Sequence, residues 1–483
     1  MENSGIFKEK GVNSKKNRYF YIAVLGIFFG ICSPFLFSYG MFLDGTTYAA
    51  IAQNMALGKG TFWIPHYTET LYAACYEQPP LALWLESLFF RILGTSIFVE
   101  RFYSVLSIVL VGFFIVKIWK EITTETDTAW FPLLLFVCFP IITWTATNNM
   151  LENTMSVFIC CSVFFYLKGI RKKKYYFTIL SGLALFLGTL SKGIVAFFPW
   201  AFPFLIWLFL KKISFKQVVI DTFTLVLFTL FPLVILYVSS ADAKLFFDTY
   251  LSNQLFSSVT GLRETVESRF LIIKRFWENS IICLILAVGI FVVQIVKKRT
   301  DLIKEQMKNS LVFFALSLCG ILPIMLSLKQ SGYYIVPAYP FLAIALALLF
   351  QPFIKQLLEK INVSSRGFLV FKIVSCSVLI VVIAFSISQK GKISRDKKDL
   401  QLVFECGKHI PSNTTISIDQ ETYFEWGLHA YFARYKGISL DFYNKHHYYL
   451  HNRNLSSHIL DEDYIPLVEI ENYTLFKKIP PKK

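Results

Sequence analysis

Apolar residues in this chain come in long blocks, neither alternating in twos nor recurring once per helical turn. About eleven blocks approach the roughly 18 to 25 residues that carry a helix across bilayer hydrocarbon: 19–43, 102–119, 129–147, 153–169, 175–190, 193–210, 217–239, 279–296, 310–328, 333–351 and 367–388. A helix satisfies its own backbone hydrogen bonds, as lipid demands. The pattern therefore predicts a polytopic α-helical membrane protein with about 11 transmembrane helices. Between the first two blocks the period changes. Tyr48, Ile51, Ala52 and Met55 follow an i, i+3, i+4, i+7 spacing within 45–58, which predicts an amphipathic helix lying at the membrane interface. Gly58 and Gly60 end it, and the aromatic "FWIPHY" that follows suits the headgroup layer. Pro79 and Pro80 then lead into a second interfacial helix over 81–93, too short and polar to span, which ends at Gly94. After residue 388 charges rise, and strand-like pieces such as "TTISID" and "YIPLVEI" alternate with polar segments. The expected division is a transmembrane domain over 1–388 and a small soluble α/β domain over 389–483.

Composition excludes a soluble protein: 55% of residues are hydrophobic, 17% are charged, and the mean hydropathy is +0.53. The net charge of +16 would suggest nucleic acid in a soluble chain. Its distribution points to topology instead. Lys8, Lys10, Lys15, Lys16 and Arg18 crowd the N-terminal arm, and Arg171 to Lys174, Lys211, Lys212 and Lys297 to Arg299 fill alternate loops. With these loops in the cytoplasm, cytoplasmic segments hold 24 of the 48 basic residues, outer loops 10 and the tail 14. The positive-inside rule then places the N-terminus inside and the tail outside, with no nucleic-acid partner required. The first block is too long for a signal-peptide core and lacks a small-residue cleavage site, so it reads as a retained span. Of nine cysteines, Cys75 and Cys406 fall in outward segments, where a disulfide could form if the fold brings them together.

With that topology, the polar residues bordering apolar sequence gather on the outer face. Asp44 ends the first span and Glu77 lies in the same loop. Asn148, Asn149 and Glu152 mark the turn between spans three and four, and Lys192 the turn between five and six. Arg263, Glu264, Arg269 and Arg275 occupy the large loop 240–277, and Lys329 and Tyr333 precede span ten. A charge next to hydrocarbon costs about 2.5–3.5 kcal/mol or more unless it reaches water or a partner, so such a gathering is a functional candidate.

The Asp after the first span, "YEQPPLALW", Arg101 to Ser104 opening the next span, "MLENTMSVF", "GLALFLGTLSKG" and "YYIVPAYPFLAIA" together resemble the bacterial glycosyltransferases of family 39. These are related to protein O-mannosyltransferases and to ArnT, the lipid A aminoarabinose transferase. The resemblance runs from about residue 19 to 350 and lies in the order and spacing of the motifs. It implies the GT-C fold, a bacterial cytoplasmic-membrane location, and an outward site fed by a polyprenyl-phosphate sugar. The partners it implies are that donor, membrane lipid, and a lipid, glycan or protein acceptor. Glycosyl transfer needs a base for the acceptor hydroxyl and positive charge for the departing phosphate. Asp44 matches the family's essential acidic residue and, with Glu77 and Glu152, forms the expected catalytic set. Where relatives carry Glu-Lys-Pro-Pro this chain has Glu77-Gln78-Pro79-Pro80, which shifts the phosphate contact onto Lys192, Arg263, Arg269 and Lys329. Tyr48, Gln78, Asn149, Tyr333 and Tyr334 are expected to line the donor or acceptor pocket.

No Gly-rich phosphate loop sits between a strand and a helix, which agrees with a lipid-linked donor. For a divalent metal, His66 and Glu77 are the candidates, yet no His, Cys and carboxylate set has a recognisable spacing. A non-catalytic transporter or flippase of lipid-linked sugars is the alternative. Such a protein would place charges at mid-span or repeat its broken helices, whereas here they collect at one face.

Overall fold

The computed structural model describes residues 5–123, 126–256, 268–296, 300–455 and 463–479. They form two compact units, one of Met1–Leu36, Glu77–Ala82 and Ser104–Ser388, the other of Phe37–Tyr76, Leu83–Tyr103 and Gln389–Lys483. The segment read from sequence as a separate domain is thus joined in the second unit by most of the loop that follows the first span.

Helices fill the first unit. Among the described residues seven are long and apolar enough to cross a membrane: Val99–Ile122, Leu151–Lys172, Phe215–Ser239, Leu271–Val293, Gln306–Leu326, Gly332–Lys360 and Arg366–Ser388. The expected count of eleven is not reached by that criterion. Tyr176–Lys192 and Ile194–Leu210 are apolar but short, and the block 129–147 is broken into Trp130–Val137 and Pro140–Thr147, bent by 75°. Pro140 explains the break, because proline lacks the N–H a continuing helix needs and is favoured as the first residue of a new one. The block expected to run over 19–43 leaves the helix at Cys32, just before Pro34. Burial separates an inner layer from a lipid-facing one: the span Gly332–Lys360 is 83% buried, while Arg366–Ser388 is 11% buried and presents Val378, Ile380 and Val381 outward. Apolar faces this exposed need hydrocarbon around them.

Leu151–Lys172 and Tyr176–Lys192 form an antiparallel pair closed by a short turn in which Lys173 takes the left-handed conformation. Ser162 and Ser181 share a 2.8 Å hydrogen bond across it, the kind of polar contact that joins helices where no hydrophobic drive separates protein from lipid. A hairpin of this kind brings the start of one helix to the end of the next. Glu152 is in the first turn of the former and Lys192 is the last residue of the latter, each placed favourably for its helix dipole.

The second unit is built on a mixed sheet. Strands β1 (Thr415–Ile418), β2 (Ser439–Asp441), β3 (Tyr448–Asn452), β4 (Tyr464–Ile470) and β5 (Tyr473–Lys478) stand in the order β2-β1-β3-β5-β4. β1 runs parallel to β2 and β3, and β5 antiparallel to β3 and β4. The helix Trp426–Lys436 makes the crossover that a parallel β1–β2 pair requires. Leu400, Val403, Ile416, Phe432, Leu440, Leu450 and Leu475 close the core. The helix expected over 45–58 spans Leu43–Ala56, and Tyr48, Ile51, Ala52 and Met55 are buried. The helix packs against Trp426–Lys436, and its Ala49 and Ala52 cluster with Met41, Phe90 and Val99, so protein covers that part of its apolar face. Cys75 and Cys406 are both buried free thiols, and the disulfide open to them on sequence is not made.

Candidate functional site

A cavity of about 790 Å³ opens in the first unit. Ile194, Phe197, Trp200, Leu322 and Leu326 give it apolar walls, and Glu77, Gln78, Glu152, Lys192, Gln254, Lys329, Tyr250 and Tyr334 supply its polar atoms. This is the composition of a small-molecule site, mostly apolar with a few convergent polar groups.

At its heart Lys192 Nζ lies 3.3 Å from Glu152 Oε1, with side chains 10% and 1% exposed. The hairpin dictates the meeting: two helix ends of opposite charge close on each other. Each charge makes burial of the other tolerable in so apolar a wall. Glu77 is held separately, its Oε1 accepting a 3.0 Å hydrogen bond from Gln254 Nε2. Lys329 follows a turn in which its backbone N–H donates to Ser327 Oγ at 3.1 Å. Tyr334 lines the cavity, while Tyr333 stands edge-on to it at 5.1 Å and stacks on Trp144 at 5.9 Å. Buried Asn149 adopts φ 51° where the chain turns from Pro140–Thr147 into Leu151–Lys172. Asparagine tolerates that left-handed geometry better than other side chains.

The remaining expected residues fall elsewhere. Arg269 is exposed, and its guanidinium donates to the carbonyl of the cavity residue Leu326 at 3.1 Å. Arg263 lies outside the described residues, as does Glu264. Asp44 and Tyr48 belong to the second unit, in the first and second turns of Leu43–Ala56. His66, also in that unit, has Nδ1 3.1 Å from the Ala73 carbonyl and Nε2 3.5 Å from Glu69. Among the described residues no three His, Cys, Asp or Glu side chains gather as a metal site would require.

Among the cavity residues that the sequence did not single out are Tyr250 and Gln254. Both belong to the stretch 241–256 and neither carries a charge that would draw notice. Gly193, directly after Lys192, is the one local signal: it has φ 107°, and a Cβ there would lie 2.3 Å from the Tyr250 hydroxyl.

The apolar spans mark a multi-pass membrane protein, and likeness to solved structures gives it the GT-C fold. The chain is similar in fold to the crystal structure of ArnT from Cupriavidus metallidurans bound to undecaprenyl phosphate, with a TM-score of 0.63 over 96% of this chain and 98% of that one at 13% identity. It is more distantly similar to the apo oligosaccharyltransferase of Archaeoglobus fulgidus, with a TM-score of 0.52 over 87% and 64% of the two chains at 11% identity. Residues 77–237 match the family described as dolichyl-phosphate-mannose-protein mannosyltransferase. The undecaprenyl phosphate-alpha-4-amino-4-deoxy-L-arabinose arabinosyl transferase of Wigglesworthia glossinidia brevipalpis is 27% identical over 189 residues, 37% of this chain. The matched stretch spans about a third of that relative, 32% of its length. Within that fold the chain is similar to the family 39, ArnT-like glycosyltransferases.

Proposed function

We propose that the protein is a glycosyltransferase that moves a sugar from a polyprenyl-phosphate donor to a hydroxyl of a lipid, glycan or protein acceptor. The observation that carries this reading is the Glu152–Lys192 pair, at 3.3 Å, set in the wall of a largely apolar cavity together with Glu77 and Lys329. Apolar walls suit a polyprenyl chain, and fixed ammonium groups suit the phosphate at its end. In an inverting displacement the acceptor oxygen bonds to the anomeric carbon as the bond from that carbon to the phosphate oxygen breaks. The acceptor proton passes to a carboxylate, and the phosphate leaves as an anion without a general acid. Asp44 is assigned the base. Glu77, oriented by Gln254, and Glu152, oriented by Lys192, position donor and acceptor. Lys192 and Lys329 receive the developing phosphate charge, with Arg269 acting from the rim through Leu326. The protein is assigned to a bacterial cytoplasmic membrane with the N-terminus inside and this site facing outward, in keeping with its basic loops.

Mass spectrometry of lipids and glycans from cells with and without the protein tests the reading. Loss of the protein should leave one polyprenyl-phosphate sugar in excess and one cell-surface saccharide modification absent. Unchanged pools of both would overturn it.

A further inference from the structure

Tyr250 ends the helix Ala241–Tyr250 and lines the cavity. Its ring stacks on Phe246, four residues back, at 5.9 Å and 10°, so its own helix aims it. Its hydroxyl presses against Gly193, where an added Cβ would sit 2.3 Å from the phenol oxygen and 3.3 Å from the ring carbon that bears it. The residue after Lys192 must therefore lack a side chain, and the space released is filled by a hydroxyl. Among the described residues that hydroxyl has no hydrogen-bond partner. Tyr250 is only partly covered and lines the cavity, so its O–H is available to a ligand that enters.

We propose that Tyr250 is a substrate-contact residue whose O–H donates to an anionic oxygen of the donor phosphate, next to the Lys192 ammonium. The inference rests on the glycosyltransferase reading above. Burial pushes the phenol up to about 12, so it keeps the donated proton across the physiological range. Lysine offers a point charge, whereas the phenol offers a directed bond. Together they hold a phosphate by charge and by orientation.

The test uses the full-length protein in detergent and measures binding of undecaprenyl phosphate, of uncharged undecaprenol and of inorganic phosphate. Tyr250→Phe removes the hydroxyl and nothing that another side chain uses. A hydrogen bond to a charged group contributes about 1.5–3 kcal/mol, so undecaprenyl phosphate should bind roughly 10- to 100-fold more weakly to the variant, with undecaprenol unaffected. Gly193→Ala should weaken binding of the phosphate lipid in the wild type and add little in the Tyr250→Phe background, since both act on the same atom. Equal loss for both lipids would mean that Tyr250 acts by packing, and an unchanged affinity for undecaprenyl phosphate would mean that it makes no contact. Either result overturns the inference, as does inorganic phosphate binding with the affinity and Tyr250 dependence of the lipid. Failure of the wild type to bind undecaprenyl phosphate at all would instead overturn the glycosyltransferase reading.

Discussion

Arg434 and Glu100 form an ion pair at 2.8 Å with each side chain 2% exposed. The same guanidinium donates to Gln53 Oε1 at 2.8 Å and to the carbonyls of Thr95 and Ser96 at 3.3 and 2.9 Å, and lies 5.0 Å over the Phe90 ring. One arginine from the tail segment thereby holds the helix that carries Asp44. Close by, Tyr431 donates to the Met41 carbonyl at 2.9 Å, three residues ahead of Asp44. Arg434→Met strands a buried carboxylate and should destabilise the second unit by about 3–5 kcal/mol. Pairing it with Glu100→Leu should restore part of the loss, because the stranded charge is gone. Proteolytic susceptibility of the tail across the three proteins checks this; equal stability of Arg434→Met and the wild type would contradict it.

The Glu152–Lys192 pair yields a kinetic expectation. Lys192→Ala removes a charge assigned to the leaving phosphate and should lower kcat/KM by about 10²–10³-fold, as loss of one transition-state electrostatic partner does elsewhere. Lys192→Arg should retain more activity than Lys192→Ala. Glu152→Gln leaves Lys192 without its 3.3 Å counter-charge and should alter KM for the donor as well as kcat. Wild-type kinetics in Lys192→Ala would remove the pair from the site.

Acid should loosen the second unit through His429. The side chain is buried, and its Nε2–H donates to the Tyr423 carbonyl at 2.8 Å. Burial holds its pKa below the ordinary 6.5. As pH falls through that value the unfolded chain takes up a proton that the folded one resists, so stability is present above about 6.5 and declines below it. His429→Phe should flatten this part of the stability-against-pH curve. A variant curve parallel to the wild type between pH 5 and 7.5 would contradict the assignment.

What the sequence discloses depends on how local its cause is. The helix over 81–93 forms as Leu81–Leu93, because Pro79, Pro80 and Gly94 punctuate it chemically. The buried stripe of Tyr48, Ile51, Ala52 and Met55 is equally plain in the spacing. Its covering is not, since an apolar helix face looks the same whether lipid or protein lies on it. The polar residues Glu77, Gln78, Glu152, Lys192 and Lys329 could be picked out by their places beside hydrocarbon, but their pairing required knowledge of which helix ends meet. Gln254 and Tyr250 were silent because an uncharged side chain between apolar blocks costs nothing noticeable until a cavity forms around it.

The most direct test combines donor binding with turnover in Asp44→Asn, a change that keeps the shape of the side chain and removes the base. Lipid extract from cells lacking the protein supplies the accumulated polyprenyl-phosphate sugar, and release of polyprenyl phosphate by the purified full chain in the presence of acceptor membranes is the readout. The wild type should release it, while Asp44→Asn binds the same lipid and turns it over about 10²–10⁴-fold more slowly. Equal release by both proteins would contradict the role of Asp44, and no release by the wild type would contradict transfer from a polyprenyl-phosphate donor.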